Sequence, residues 1–257
     1  NILSNYFYLS KLRKEYPSLI INFANSLRSD IESFIIGAPR RYGIIFTKKC
    51  RPLLTHGYHH DFDQGNSRQS LHQVRMWEKF LQYFGLKEEI KFEPLKLPCD
   101  KVSQRIAILP GSANNPLKRW PASCWRELIY FLIEKLPNSE ILILGSTKDL
   151  KLGKLICEGF NPKRVLNLCG KTNLLQLAEN LSASSHVFGN DSGGIHLANA
   201  IGCEVTVLFG PTDPHVTAPV FSSPCHIIQS FREDGSIADD LSKLSVEDVI
   251  EGAHILK

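Results

Sequence analysis

Apolar positions in this chain fall into short runs that alternate with helical stripes, most regularly after residue 104. Short aliphatic runs such as Ile106-Ala107-Ile108-Leu109 predict strands at 105–109, 140–144, 164–168, 185–189 and 203–209. Apolar residues three and four apart predict helices at 122–135, 149–159, 173–182, 193–201 and 246–255. Strands and helices alternating at these lengths predict an α/β protein with a parallel sheet covered on both faces. The first hundred residues are less regular. They predict a helix at 5–15, a buried strand at 18–23, a helix at 27–36 and a strand at 40–45. Residues 48–67 have mixed polarity and read as a loop. The 71–84 helix carries Val74, Trp77, Leu81 and Phe84 on one stripe and ends at Gly85. Asp30 and Glu32 fall inside the 27–36 helix and are expected to face solvent. Residues 86–103 are polar, hold Pro94 and Pro98, and read as a linker. The predicted division is a partial N-terminal domain over 1–100 and a C-terminal domain over 101–257.

Composition narrows the class. The 257 residues are 43% hydrophobic and 22% charged, which are globular values. No apolar run approaches the ~18 residues of a membrane span, and no signal peptide is visible. The seven cysteines are scattered without CxxC spacing, so neither a zinc site nor a disulfide framework is indicated. A reducing cytoplasm is the expected setting. The net charge is +4, and the basic excess lies in residues 1–100. Arg40, Arg41, Lys48, Lys49 and Arg51 form its densest cluster, which as an exposed face would suit an anionic glycolipid or membrane surface. No aromatic residues interleave these charges in a recognisable module, so nucleic acid is not an expected partner. His56, His59, His60, Asp61 and Asp63 lack the spacing of a metal site, and no metal is expected.

Three loops carry the candidate chemistry. Phe188-Gly189-Asn190-Asp191-Ser192-Gly193-Gly194-Ile195-His196 reads as a strand, a small-residue turn and a helix start. Asn190, Asp191 and Ser192 can each cap a helix. The two glycines let a ligand approach the backbone, and a helix start suits a phosphate. Gly210-Pro211-Thr212-Asp213-Pro214 follows the next strand, and ligands of open α/β sheets bind at strand C-termini. Upstream, the 105–109 strand runs into Pro110-Gly111-Ser112-Ala113-Asn114-Asn115, followed by Lys118-Arg119-Trp120-Pro121 at a helix entrance. Pro121 suits a first helical position.

In order and spacing, these three loops together with Trp125-Arg126-Glu127-Leu128 and His196-Leu197-Ala198 resemble the ADP-heptose:lipopolysaccharide heptosyltransferases, glycosyltransferase family 9. The resemblance runs from about residue 15 to the C-terminus. It implies a GT-B fold of two Rossmann-like domains with parallel sheets, the N-terminal one incomplete here. It also implies an inverting transfer of heptose from ADP-heptose to the inner core of lipopolysaccharide. The implied partners are the ADP-heptose donor and a lipopolysaccharide precursor of the Kdo-lipid A type. A peripheral contact with the inner face of the inner membrane follows, and no cofactor is implied.

Roles follow by matching residues. Lys118 would neutralise a donor phosphate, with Ser112 bonding the same phosphates. The N–H groups of Ser192 and Gly193 would hold the pyrophosphate. Asp191 would accept from heptose hydroxyls, unless it is a plain N-cap, and His196 would help place the phosphates. Asp149 would bond the ribose hydroxyls. Thr212 and Asp213 would line the neighbouring loop. Arg28, at a position basic in the family, would meet an acceptor phosphate or carboxylate. His72 also matches a family position, with no chemistry assigned.

The chain departs from the family in one respect. The family's first domain opens with a strand and a glycine-containing loop bearing an aspartate regarded as the catalytic base. Residues 1–104 offer no carboxylate in that setting, the chain begins at Asn1, and its single methionine is Met76. The catalytic residue is therefore unassigned, with the base expected before Asn1 and the isolated chain expected to bind donor without transferring sugar. Two alternatives stay open. One is a GT-B transferase or epimerase using another nucleotide sugar; the other is a truncated, non-catalytic nucleotide-binding module.

Overall fold

The computed structural model describes residues 2–46, 50–60, 72–99, 102, 104–113 and 115–254. They form two compact units, residues 1–90 and 91–257.

The first unit contains α1 (Ile2–Lys14), β1 (Leu19–Asn22), α2 (Leu27–Ile36), β2 (Arg40–Phe46), β3 (His56–His60) and α3 (Gln73–Tyr83). Its strands are parallel in the order β1-β2-β3. Ser26 caps α2 by accepting from Ser29 N–H, and Gly37 ends it at φ +83°, a left-handed conformation that favours glycine. The core is small: Ile44, Met76 and Phe80, ringed by Tyr42, Tyr58, Trp77 and Phe84.

Four expectations for this unit are corrected. Residues 56–60 form a strand where a loop is predicted. Their histidines hide any hydrophobic alternation, but Tyr58 pairs with Ile44, and His56 stacks on Tyr42 at 4.5 Å. The strand predicted as buried at 18–23 leaves Leu19, Ile21 and Phe23 exposed, because β1 lies at the edge of the described sheet. Asp30 faces inward rather than solvent: it is 2% exposed and receives Arg51 Nε at 2.9 Å and Arg51 Nη2 at 2.5 Å. The same pairing removes Arg51 from the anticipated basic surface. Arg41 is likewise turned inward, donating to the carbonyls of Leu53 and Ala38. Lys48, Lys49, Asp61 and Asp63 lie outside the described residues.

The second unit holds β4 (Arg105–Leu109), α4 (Ala122–Lys135), β5 (Glu140–Ile143), α5 (Leu150–Cys157), β6 (Val165–Asn167) and α6 (Leu174–Ser182). It continues with β7 (His186–Asn190), α7 (Gly193–Ala200), β8 (Val205–Phe209), α8 (Pro214–Thr217), β9 (Cys225–Gln229) and α9 (Val246–Ala253). All six strands are parallel, in the order β6-β5-β4-β7-β8-β9. Alternate residues of each central strand feed two cores. One packs Ile106, Ile108, Ile141 and Phe188 with Trp120, Trp125, Leu128 and Val249. The other packs Ala107, Leu109, Val187 and Val207 with Leu181, Ile195 and Ala198. Pro121 sits at the N-cap of α4 rather than at the first helical position, which Ala122 takes. β9 is unpredicted, being a short run between Pro224 and Ser230 that pairing with β8 stabilises. Residues 91–99 carry no helix or strand. They bond to this unit through Leu95 N–H to Ala200 O (2.8 Å) and Ser222 N–H to Phe92 O (3.0 Å).

Candidate functional site

The sheet order puts a topological switch point between β4 and β7. The chain runs outward from β4 through β5 to β6, then returns to β7 on the other side. Crevices outside strand C-termini at such points are where α/β sheets bind ligands. A cleft of about 350 Å³ opens there, lined by Gly111 and Ser112 after β4, Gly145 and Asp149 after β5, Leu174 and Leu177 of α6, and Ser192 and Gly193 before α7.

The glycines of the cleft have separate causes. A Cβ on Gly111 would meet the Asp149 carboxylate at 2.6 Å, and one on Gly145 would meet Asp149 Cβ at 3.0 Å, so both make room for that side chain. A Cβ on Gly194 would press Leu109 at 3.1 Å. Gly193 faces open space, with nothing within 4 Å of its would-be Cβ. Ser192 is the N-cap of α7 without a side-chain cap bond. The first N–H groups of α7 have no partner within the helix and add a positive dipole end.

Beside this helix start, four side chains converge. Asp191 Oδ2 accepts from Lys118 Nζ at 2.6 Å and from Thr212 Oγ1 at 2.8 Å, and Oδ1 lies 3.5 Å from His196 Nε2. Asp191 is 5% exposed. Burial opposes its charge, but hydrogen bonds from His196, Lys118 and Thr212 and the charge of Lys118 outweigh it and hold the carboxyl at about 2. The carboxylate makes none of the N-cap bonds that the plain capping alternative requires; it is the hub of an ion-pair network.

The expected site residues thus sort into groups. Ser112, Asp149, Ser192 and Gly193 line the cleft. Lys118, Asp191, His196 and Thr212 form the adjoining cluster. Asp149 Oδ2 accepts from Ser146 N–H (2.9 Å) and Oγ (2.7 Å), capping its own turn from within the cleft wall. Asp213 turns away to cap α8, accepting from His215 N–H. Arg28 belongs to the first unit, is exposed, and pairs with Glu32 at 2.8 Å. His72 caps α3 by accepting from Val74 N–H at 3.3 Å.

Two residues to which the sequence assigns no site role hold this geometry. Asn190, fully buried, donates Nδ2 to Pro110 O at 2.7 Å and accepts from Trp120 N–H at 3.3 Å. Arg119 donates Nε and Nη2 to Ser112 O at 3.0 and 2.7 Å. Asn190 was visible only as one of three capping types in a row. Among the described residues, no group of three or more His, Cys, Asp or Glu side chains is placed to hold a metal ion, and no helix is long and apolar enough to cross a membrane.

The family model for glycosyltransferase family 9 (heptosyltransferase) matches residues 8–236. Lipopolysaccharide heptosyltransferase 2 of Escherichia coli (strain K12) is 29% identical over 215 residues, covering 76% of this chain and 60% of that protein. Lipooligosaccharide heptosyltransferase 2 of Campylobacter jejuni (serotype O:2) is 29% identical over 232 residues, covering 85% and 66%. The chain therefore spans about 60% of the length of the first of these relatives. Among solved structures, E. coli ADP-heptose lps heptosyltransferase II superposes with a TM-score of 0.70 at 23% identity, covering 98% of this chain and 80% of that one. A glycosyl transferase family 9 structure from Veillonella parvula gives 0.73 at 18%, covering 98% and 77%. These likenesses show the fold, an α/β GT-B arrangement of parallel sheets.

Proposed function

Because this chain belongs to glycosyltransferase family 9, we propose that it acts in an inverting transfer of heptose from ADP-heptose to the inner core of lipopolysaccharide. The observation that carries this reading is the Lys118–Asp191–Thr212–His196 cluster set against the bare N-terminus of α7 at the mouth of a cleft. Such a transfer needs developing negative charge on a departing diphosphate to be stabilised by donors already in place. Lys118 and the first N–H groups of α7 supply them, with Ser112 on the facing loop and His196 beside them. The nucleoside fits the cleft, where Asp149 reaches its ribose and Leu174 and Leu177 offer an apolar wall to its base. The heptose falls beside Asp191 and Thr212, whose acceptor oxygens suit its hydroxyls, with Asp213 at the edge of the same loop.

The acceptor is a lipopolysaccharide precursor of the Kdo-lipid A type, met by the N-terminal unit with Arg28 toward its anionic groups. An enzyme using that substrate works in the cytoplasm, in peripheral contact with the inner face of the inner membrane. Relatives named lipopolysaccharide and lipooligosaccharide heptosyltransferases support this reading.

Calorimetry with ADP and with UDP tests the donor half. ADP is expected to bind at least tenfold tighter, a gap of about 1.4 kcal/mol. A preference for UDP refutes the ADP-heptose reading and favours a transferase or epimerase with another donor.

A further inference from the structure

Asn190 and Asp191 are consecutive, yet they serve the site in different ways. Asp191 holds a side chain, that of Lys118. Asn190 holds backbone. Its amide is fully buried at the end of β7 and meets the two ends of the excursion that leaves β4 and enters α4: the Pro110 carbonyl at one end and the Trp120 N–H at the other. That excursion carries Ser112 and Lys118. Arg119 braces it internally by donating twice to the Ser112 carbonyl. A primary amide is the side chain that can donate to one partner and accept from another along this line. A carboxylate of the same size would face the Pro110 carbonyl oxygen with a second acceptor. An alanine would leave a buried carbonyl and a buried N–H without partners.

We propose that Asn190 is a positioning residue for the anion site: its amide clamps the 110–120 excursion to the end of β7, and so sets the spacing between Ser112 and Lys118 on one side and the start of α7 on the other. The diphosphate of a nucleotide is the ligand whose binding depends on that spacing, whereas the nucleoside alone does not bridge it. This inference rests on the donor-site reading given above.

The test is calorimetry of ADP and adenosine binding to the full chain and to Asn190→Asp and Arg119→Gln. Asn190→Asp is expected to weaken ADP binding by about tenfold or more, the equivalent of losing one well-made hydrogen bond, while adenosine affinity changes less than twofold. Arg119→Gln is expected to show the same selectivity with a smaller loss. A purely structural role predicts parallel losses for both ligands, and that result overturns the assignment. So does unchanged ADP affinity in Asn190→Asp. Should Asn190→Asp fail to fold, Arg119→Gln decides by the same criterion. Absence of ADP binding by the unsubstituted chain refutes the donor-site reading, and this inference falls with it.

Discussion

Lys118 Nζ lies 2.6 Å from Asp191 Oδ2, a contact between residues 73 apart in sequence. The lysine side chain is 20% exposed and the aspartate 5%. The cation is thus held at the start of α7 before any ligand arrives, which limits the side-chain entropy lost on binding. A charge-assisted bond to phosphate is worth roughly 1.5–3 kcal/mol. Lys118→Ala should weaken ADP binding by about ten- to a hundredfold and leave adenosine binding nearly unchanged. Titration calorimetry with both ligands checks this, and equal losses would place Lys118 in a structural role.

Asp191 carries a pH signature. Its folded pKa of about 2 lies below the unfolded value of about 3.9. A depressed carboxyl contributes stability that is present above the unfolded pKa and lost as pH falls through the folded one. The loss should therefore lie between about pH 4 and pH 2 and amount to roughly 2–3 kcal/mol. Asp191→Asn should flatten that part of the acid limb, as read by urea unfolding at pH 4.5, 3 and 2. It should also reduce ADP-heptose affinity more than ADP affinity. Identical acid limbs in both proteins would contradict the ion-pair network.

Gly193 and Gly111 separate ligand effects from folding effects. A methyl on Gly193 meets nothing within 4 Å. Gly193→Ala should leave the melting temperature within a few degrees while reducing ADP affinity, because the methyl projects where the phosphate approaches. Gly111→Ala drives a methyl to 2.6 Å from the buried Asp149 carboxylate. Overpacking of this kind costs about 1–3 kcal/mol, so its melting temperature should fall along with binding. A Gly193→Ala protein that binds ADP as tightly as the parent would move the phosphates away from α7.

At the opposite end of the same sheet, His186 is 3% exposed and bonds Thr206 Oγ1 through Nε2 at 2.7 Å. Burial is the main cause that pushes its pKa down to about 4; Glu204 opposes this and His226 adds to it. A histidine kept neutral by the fold binds its proton more readily when unfolded. Stability is therefore lost as pH falls from about 6.5 to about 4, by a few kcal/mol at most. His186→Gln should show a weaker pH dependence than the parent across that window in chemical denaturation, and identical slopes in the two proteins would refute the assignment.

Legibility of the sequence followed the strength of the hydrophobic period. The five strands predicted after residue 104 appear because each holds a short apolar run; β4, β5, β7 and β8 are buried along nearly their whole length, whereas β6, at the sheet edge, is only partly buried. β3 and β9 escaped notice because polar residues occupy positions whose strand state is decided by a neighbour: His56 by Tyr42 and β2, His226 by Glu204 and β8. Asp30 shows the same limit. Its helical position says nothing of Arg51, which arrives from 21 residues away. At the site, residue types in loops were readable, but their partners were not. Asp191 could be named from its setting, yet whether it caps a helix or grips a lysine depends on a contact across the switch point. Asn190 is legible only as a capping type, because a buried amide tying two backbone ends leaves no trace in a local pattern.

The adjacency of β4 and β7 also bears on how the second unit assembles. These strands are neighbours in space, but β5, β6 and their helices intervene along the chain, so their pairing closes a long loop and carries the entropic penalty of one. Until that closure the cleft does not exist, since one wall comes from each strand's exit. A nucleotide would then recognise only molecules in which the closure is complete. Its binding free energy would be added in full to the stability of the second unit and would leave partly assembled chains unprotected. Resistance of residues 91–257 to proteolysis in the presence of ADP would thus count the fraction of chains in which β4 has found β7.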